Sequence, residues 1–119
     1  MPSCEYGLIL GYKVVLQDVA AQDAREYASF LFQRSKNSNV AVRWLDELTA
    51  LLDGLSEMPK RYKVIEEQES FKVELRQVMH HSHRLVYHVN ERTQTVHVLR
   101  VYHGARKPLL PTDFSSPID

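Results

Sequence analysis

Residues 41–58 constrain this chain more than any other stretch. Ala41, Trp44, Leu45, Leu48, Leu51, Leu52, Leu55 and Met58 recur at intervals of three and four residues, and Pro59 follows them. That spacing places them along one stripe of an α-helix, which a proline cannot continue because it lacks a backbone N–H and collides with the preceding turn. Asn39 is the expected N-cap. Burying the stripe is worth roughly 1.5–3 kcal/mol per large side chain, so the helix must lie on a broad apolar surface.

Only one other part of the chain supplies such a surface. Residues 73–78, 84–90 and 96–102 are rich in Val, Leu and Tyr, and the polar breaks between them, His80-His81-Ser82 and residues 90–95, are too short for a helix. An antiparallel meander of three strands follows. Ahead of the 41–58 helix, residues 12–16 (YKVVL) read as a strand ended by Gln17-Asp18. From Ala20 onward, Ala20, Ala24, Tyr27, Ala28 and Leu31 share one helical face, with Asp18 as the expected cap. The predicted fold is therefore α+β: an N-terminal strand, a helical hairpin and a three-stranded antiparallel meander, with both helices on one sheet face and the other face open. Residues 1–11 are expected to be a lead-in or an extra edge strand, 12–109 the domain and 110–119 an extended tail. The basic-then-acidic segment 60–70 reads as a loop or weak strand leading into the sheet.

At 119 residues the chain is one domain, and 44% hydrophobic with 25% charged residues is the composition of an ordinary soluble globular protein. No apolar run approaches the roughly 20 residues of a membrane-spanning helix, which points to the cytoplasm with no membrane partner. The single cysteine, Cys4, cannot form an internal disulfide. The net charge of zero hides an asymmetry. Residues 1–58 carry five Lys/Arg and eight Asp/Glu, residues 59–107 carry ten and five, and the tail adds two acids. The C-terminal half is thus cationic and suited to nucleic acid or an acidic protein, although the neutral total argues against indiscriminate phosphate binding.

The same half holds the candidate chemistry. All six histidines fall between His80 and His103. His80, His81 and His83 cluster at zinc-like spacing but in a presumed turn without a companion, so they read as a solvated turn and no metal or cofactor is assigned. His88 and His97 read as exposed or locally hydrogen-bonded strand residues. Glu74 and Arg76 share a strand face, as do Arg84 and His88. If Val78 pairs with Arg84, all four lie on one face and Arg76, Arg84 and His88 could hold a phosphate; a slip of one residue separates them. Glycine-rich phosphate loops, nucleophile elbows and paired cysteines are absent from the sequence.

The stretch 98–106, VLRVYHGAR, is similar to the closing strand of ParE-type plasmid-stabilisation proteins. Leu75-Arg76, followed by Arg84-Leu85-Val86-Tyr87, resembles their preceding hairpin, and Ala41, Arg43, Leu48, Leu55 and Pro59 sit where they carry the second helix and its exit. Over residues 12–109 the chain resembles the RelE/ParE superfamily of bacterial type II toxin–antitoxin toxins, although its tail is longer than the usual ParE end. The resemblance implies a cognate antitoxin and one of two activities. A ParE-like member inhibits DNA gyrase by binding, and here Lys60, Arg61, Lys63, Arg100, Tyr102, Arg106 and Lys107 would make the contact surface. A RelE-like member cleaves mRNA, often on the ribosome. Arg76 and Arg84 would then stabilise the developing charge, with His103 or Tyr102 transferring a proton. The segment match and the neutral charge favour the gyrase inhibitor. A non-toxic binding module of the same fold is a third reading, and both a homodimer and a toxin–antitoxin hetero-oligomer are compatible with it.

Overall fold

The structure, a computed structural model, describes residues 4–6 and 11–103. They form β1 (Cys4–Tyr6), β2 (Lys13–Leu16), α1 (Asp18–Ser35), α2 (Ser38–Glu57), a 3-10 turn (Gln68–Ser70), β3 (Arg76–His80), β4 (His83–Asn90) and β5 (Thr95–His103). Arg106, Lys107 and the expected tail at 110–119 lie outside the described residues. The strands are ordered β1-β2-β5-β4-β3 in one sheet. β3, β4 and β5 are the expected antiparallel meander. β2 joins β5 in parallel, from Lys13 opposite Thr95 to Leu16 opposite Val98, and the helical hairpin is the long crossover that parallel pairing demands. β1 pairs antiparallel with β2 as an edge strand.

Strand passes to helix without a loop. The Gln17 N–H donates to the Val98 carbonyl at 2.9 Å, and the Gln17 carbonyl accepts from Ala21 N–H at 2.8 Å. Gln17 therefore takes the cap position expected of Asp18. Asp18 instead lies in the first turn, where its charge opposes the positive end of the helix dipole. The cap of α2 is likewise Asn37 and not Asn39, because α1 ends on Lys36 in the left-handed region (φ 57°) and the Asn37 side chain accepts from Asn39 N–H at 2.9 Å.

α1 presents buried alanines, Ala20, Ala21, Ala24 and Ala28, which let it approach the sheet closely. α2 buries Ala41, Trp44, Leu48, Leu52 and Leu55, while Leu45 and Met58 of the predicted stripe sit at its margin, 37% and 58% exposed. These side chains pack with Val14, Leu16, Leu85, Tyr87, Val96, Val98 and Val101 into the main core. The C-terminal end of α2 is latched to the start of β2. Ser56, fully buried, donates through Oγ to the Tyr12 carbonyl at 2.6 Å and accepts from Tyr12 N–H at 2.8 Å. Gly11 (φ 109°) makes this approach feasible, since a Cβ there would lie 2.8 Å from the Ser56 carbonyl oxygen.

The other sheet face is not open. A second, smaller core of Ile65, Leu75, Val86 and Tyr102, flanked by Phe71, Val73 and Leu99, covers part of it. The segment 59–75 therefore folds back over the sheet, held by Ile65 N–H to the Leu75 carbonyl at 3.0 Å and Gln77 N–H to the Lys63 carbonyl at 3.0 Å. Phe71, Val73 and Leu75 alternate as a strand would, but Ile65 stands apart from them, and their burial against β4 and β5 shows which face they cover.

Leu52 is 1% exposed at the centre of the main core. Leu52→Ala is expected to cost about 2–5 kcal/mol, the range for a cavity left in a close-packed interior, as a lower urea midpoint with an unchanged denaturant slope.

Candidate functional site: the arginines and histidines of the meander

The site begins with the register of β3 against β4. Met79, and not Val78, lies opposite Arg84, while Arg76 lies opposite Tyr87. This is the one-residue slip that separates the two groups. Arg76 shares a face with Val78 and Tyr87, which join the main core, and Arg84 shares the opposite face with Val86 of the second core. The phosphate cradle of Arg76, Arg84 and His88 on one face does not form.

Each of the three strand arginines is bound within the fold. Arg84 donates from Nε to Gln77 at 2.8 Å and from Nη1 to the Tyr102 hydroxyl at 2.7 Å, and it holds Glu67 in a two-pronged pair at 2.7 and 2.5 Å. The Arg84 and Glu67 side chains are only 12% and 15% exposed. The hydrogen bonds to Glu67 push the guanidinium's pKa further up, so this charge is permanent. Arg100 holds Asp23 of α1 at 2.7 and 3.0 Å, and the same carboxylate accepts from Val101 N–H at 2.9 Å. Asp23 thus caps the strand edge beyond the point where β2 ends. Arg76 donates to the Tyr62 carbonyl at 2.6 Å and pairs with Glu74 at 3.0 Å.

The remaining predicted binding residues are scattered. Lys60 pairs with Glu91, which also accepts from the Tyr12 hydroxyl. Arg61 lies over the Tyr62 ring, 5.7 Å from its centroid. Lys63 meets β3 through its backbone carbonyl. Tyr102 is 7% exposed between Arg84 and Arg100, with both guanidinium carbons within 5.9 Å of its ring centroid.

The histidines divide in the same way. His80 and His83, expected in a solvated turn, are buried at 6% and 4% exposure. His83 packs against Tyr27 (ring centroids 4.0 Å apart) and Trp44 (5.5 Å), with His103 5.5 Å away. Burial, reinforced by His103 and His80, lowers the His83 pKa from 6.5 to about 4, so the ring is neutral at physiological pH. His103, Tyr27 and His83 line one shallow cleft with Asp23 and Glu26. His83 and His103 lie opposite each other in the β4–β5 ladder, whereas Arg84 is paired with Tyr102, so His103 does not share a face with Arg84. His88 and His97 are locally hydrogen-bonded, to the Glu74 carbonyl at 3.0 Å and to Gln17 at 3.1 Å.

Sequence reasoning missed the acids: Glu67, Asp23 and Glu47, the last of which meets His81 at 2.7 Å. They lie 17, 77 and 34 residues from their partners, beyond any local spacing rule.

These features define a small domain of the RelE/ParE toxin fold. A chain of the toxin–antitoxin complex RelBE2 from Mycobacterium tuberculosis has a similar fold, with a TM-score of 0.54 and 20% identity over 79% of this chain and 99% of that one. The family described as the ParE toxin of the type II toxin–antitoxin system, parDE, matches residues 14–108, and the chain belongs to it. No curated protein matches. None of the described helices is long and apolar enough to cross a membrane.

Two outcomes test the site's electrostatics. Removing one partner of the Arg84–Glu67 pair leaves a buried charge, so Arg84→Met or Glu67→Leu alone should each cost about 3–5 kcal/mol, while the double variant recovers most of the loss in chemical denaturation. His83 resists protonation when folded but not when unfolded, so the unfolded state binds more protons between pH 6.5 and about 4 and stability falls as pH drops through that window. His83→Phe should flatten this part of the Tm-against-pH profile.

Proposed function

We propose that this member of the ParE toxin family arrests growth by binding DNA gyrase, with no covalent chemistry of its own. One observation carries the reading: Arg76, Arg84 and Arg100 are already committed to internal partners, at side-chain exposures of 16%, 12% and 14%. Cleavage of RNA by its own 2′-hydroxyl needs cations that meet charge developing on the phosphate, together with a proton acceptor and donor in reach. Here Glu67 neutralises Arg84 and Glu74 pairs with Arg76; Arg84 leaves one sheet face, and Arg76 and His103, on the other, stand beside Tyr87 and His83 at separate points along β4. An inhibitor that acts by contact needs a shaped surface only.

The cognate antitoxin is the second partner in this proposal, and the RelBE2 complex shares the fold. Phe30, Phe32, Val40 and Val42 of the helical hairpin are 40–51% exposed, and this apolar outer surface suits an antitoxin segment better than the meander arginines do. Charge reversal at Arg84 is accordingly expected to unfold the second core before it weakens any complex.

A direct test incubates the purified chain with gyrase and relaxed plasmid, and separately with mRNA with and without ribosomes. Loss of supercoiling with intact RNA is expected, and His103→Ala should leave growth arrest in place. RNA fragments that disappear in His103→Ala, with supercoiling unaffected, would overturn the reading.

A further inference from the structure

We propose that Glu47, His80 and His81 form a binding site for a divalent transition metal, Zn²⁺ above others, that clamps α2 to the β3–β4 turn. Each of the three can place one ligand atom within 4.8 Å of the other two. Tetrahedral zinc with bonds of about 2.0–2.1 Å needs neighbouring ligand atoms about 3.4 Å apart. Rotation of the exposed Glu47 and His81 side chains closes the difference, and these two already meet at 2.7 Å. Two imidazoles and a carboxylate are a donor set that suits zinc and leaves a fourth position for water.

Two features distinguish this cluster from an ordinary surface ion pair. First, His80 is buried, and its Nε2 lies 3.1 Å from the Trp44 carbonyl oxygen. A carbonyl only accepts, so Nε2 carries the proton and the lone pair is on Nδ1. Metal-ligating histidines are held in this manner, with the second ring nitrogen donating to a carbonyl that fixes tautomer and orientation. The proposal takes His80 through Nδ1.

Second, His81 adopts φ 55° in the two-residue connection between the paired His80 and His83. Glycine or asparagine occupies the left-handed region of such a turn at least cost. Histidine reaches this region more readily than most side chains, so the turn can hold an imidazole here in a fixed direction. Its conformation sets the imidazole 4.7 Å from the His80 ring and against Glu47 on α2. An exposed His–Glu pair alone is worth too little to account for a buried, pre-oriented second histidine beside it. Glu47 and His81 also line an open cleft of about 270 Å³ with Tyr27, Val40, Arg43 and Trp44, so the fourth ligand has room.

The site is independent of the gyrase reading. Its test titrates Zn²⁺ alone into the untagged full-length chain near pH 7.4, following heat, Tm and Trp44 fluorescence, with Co²⁺ absorption reporting the geometry. One ion per chain, a raised Tm and tetrahedral Co²⁺ bands are expected. His81→Gly and Glu47→Gln should each weaken Zn²⁺ at least ~10-fold, the scale of losing even an outer support of a metal ligand, while His88→Ala leaves it unchanged. Glycine suits the turn's backbone, so His81→Gly keeps the metal-free Tm at or above that of the parent, and loss of binding there cannot be ascribed to unfolding. Absence of binding by the parent chain, or equal affinity in His81→Gly and the parent, would overturn the proposal.

Discussion

The structure depends on a single irregularity in the β4–β5 ladder. Val86 pairs with Arg100, but the next residue, Tyr87, pairs with Val98, so Leu99 is an extra residue on β5. A regular strand would send residues 96, 98, 100 and 102 to the same face and drive Arg100 into the core beneath α1. With the bulge, Val96, Val98 and Val101 face the helices, while Leu99 and Tyr102 join the second core. Arg100 emerges at the strand edge, where Asp23 takes both its guanidinium and the Val101 N–H. Both cores, the Tyr102 hydroxyl that meets Arg84 and the commitment of Asp23 follow from that one inserted residue.

The second core explains why a chain with a cationic C-terminal half does not present a cationic sheet. Segment 59–75 brings Glu67 onto Arg84 and Glu74 onto Arg76, so acids within the basic half neutralise it locally. The Arg84–Glu67 pair is enclosed enough that water screens it weakly, and it specifies how this irregular segment lies on the sheet. Burial of an ion pair yields little net stability, but a misplaced segment would leave a charge alone in an apolar setting.

The elements themselves were legible in the sequence because each carries its own period. The α2 stripe, the alternation of β4 and the Gln17-Asp18 break translate directly into structure, and both caps differ from expectation by only one or two residues. The meander's order and the helices' common face also follow from local pattern and burial. What escaped was every feature set by two distant segments. The β3–β4 register turns on whether Val78 or Met79 faces Arg84, and the turn His81-Ser82 decides it through a left-handed histidine that residue type alone does not announce. Ile65, Phe71, Val73 and Leu75 signal a covering segment only when Val86 and Tyr102 are known to face it. The pairing of Arg84 with Glu67, and of His81 with Glu47, depends on that same tertiary placement.

The Ser56 latch has a consequence for the order in which the molecule comes apart. Tyr12 and Ser56 are 44 residues apart and exchange two hydrogen bonds, so β2 and the whole helical hairpin form a loop fastened at its base. A loop of that kind opens as one cooperative unit, since neither helix can peel from the sheet without releasing the strand that precedes it. The meander keeps its strand pairing and its second core when that unit opens, but loses the main core on its inner face. The boundary of that unit is the parallel β2–β5 seam, whose two ends are the hydrogen bonds from Lys13 N–H to the Gln94 carbonyl and from Gln17 N–H to the Val98 carbonyl.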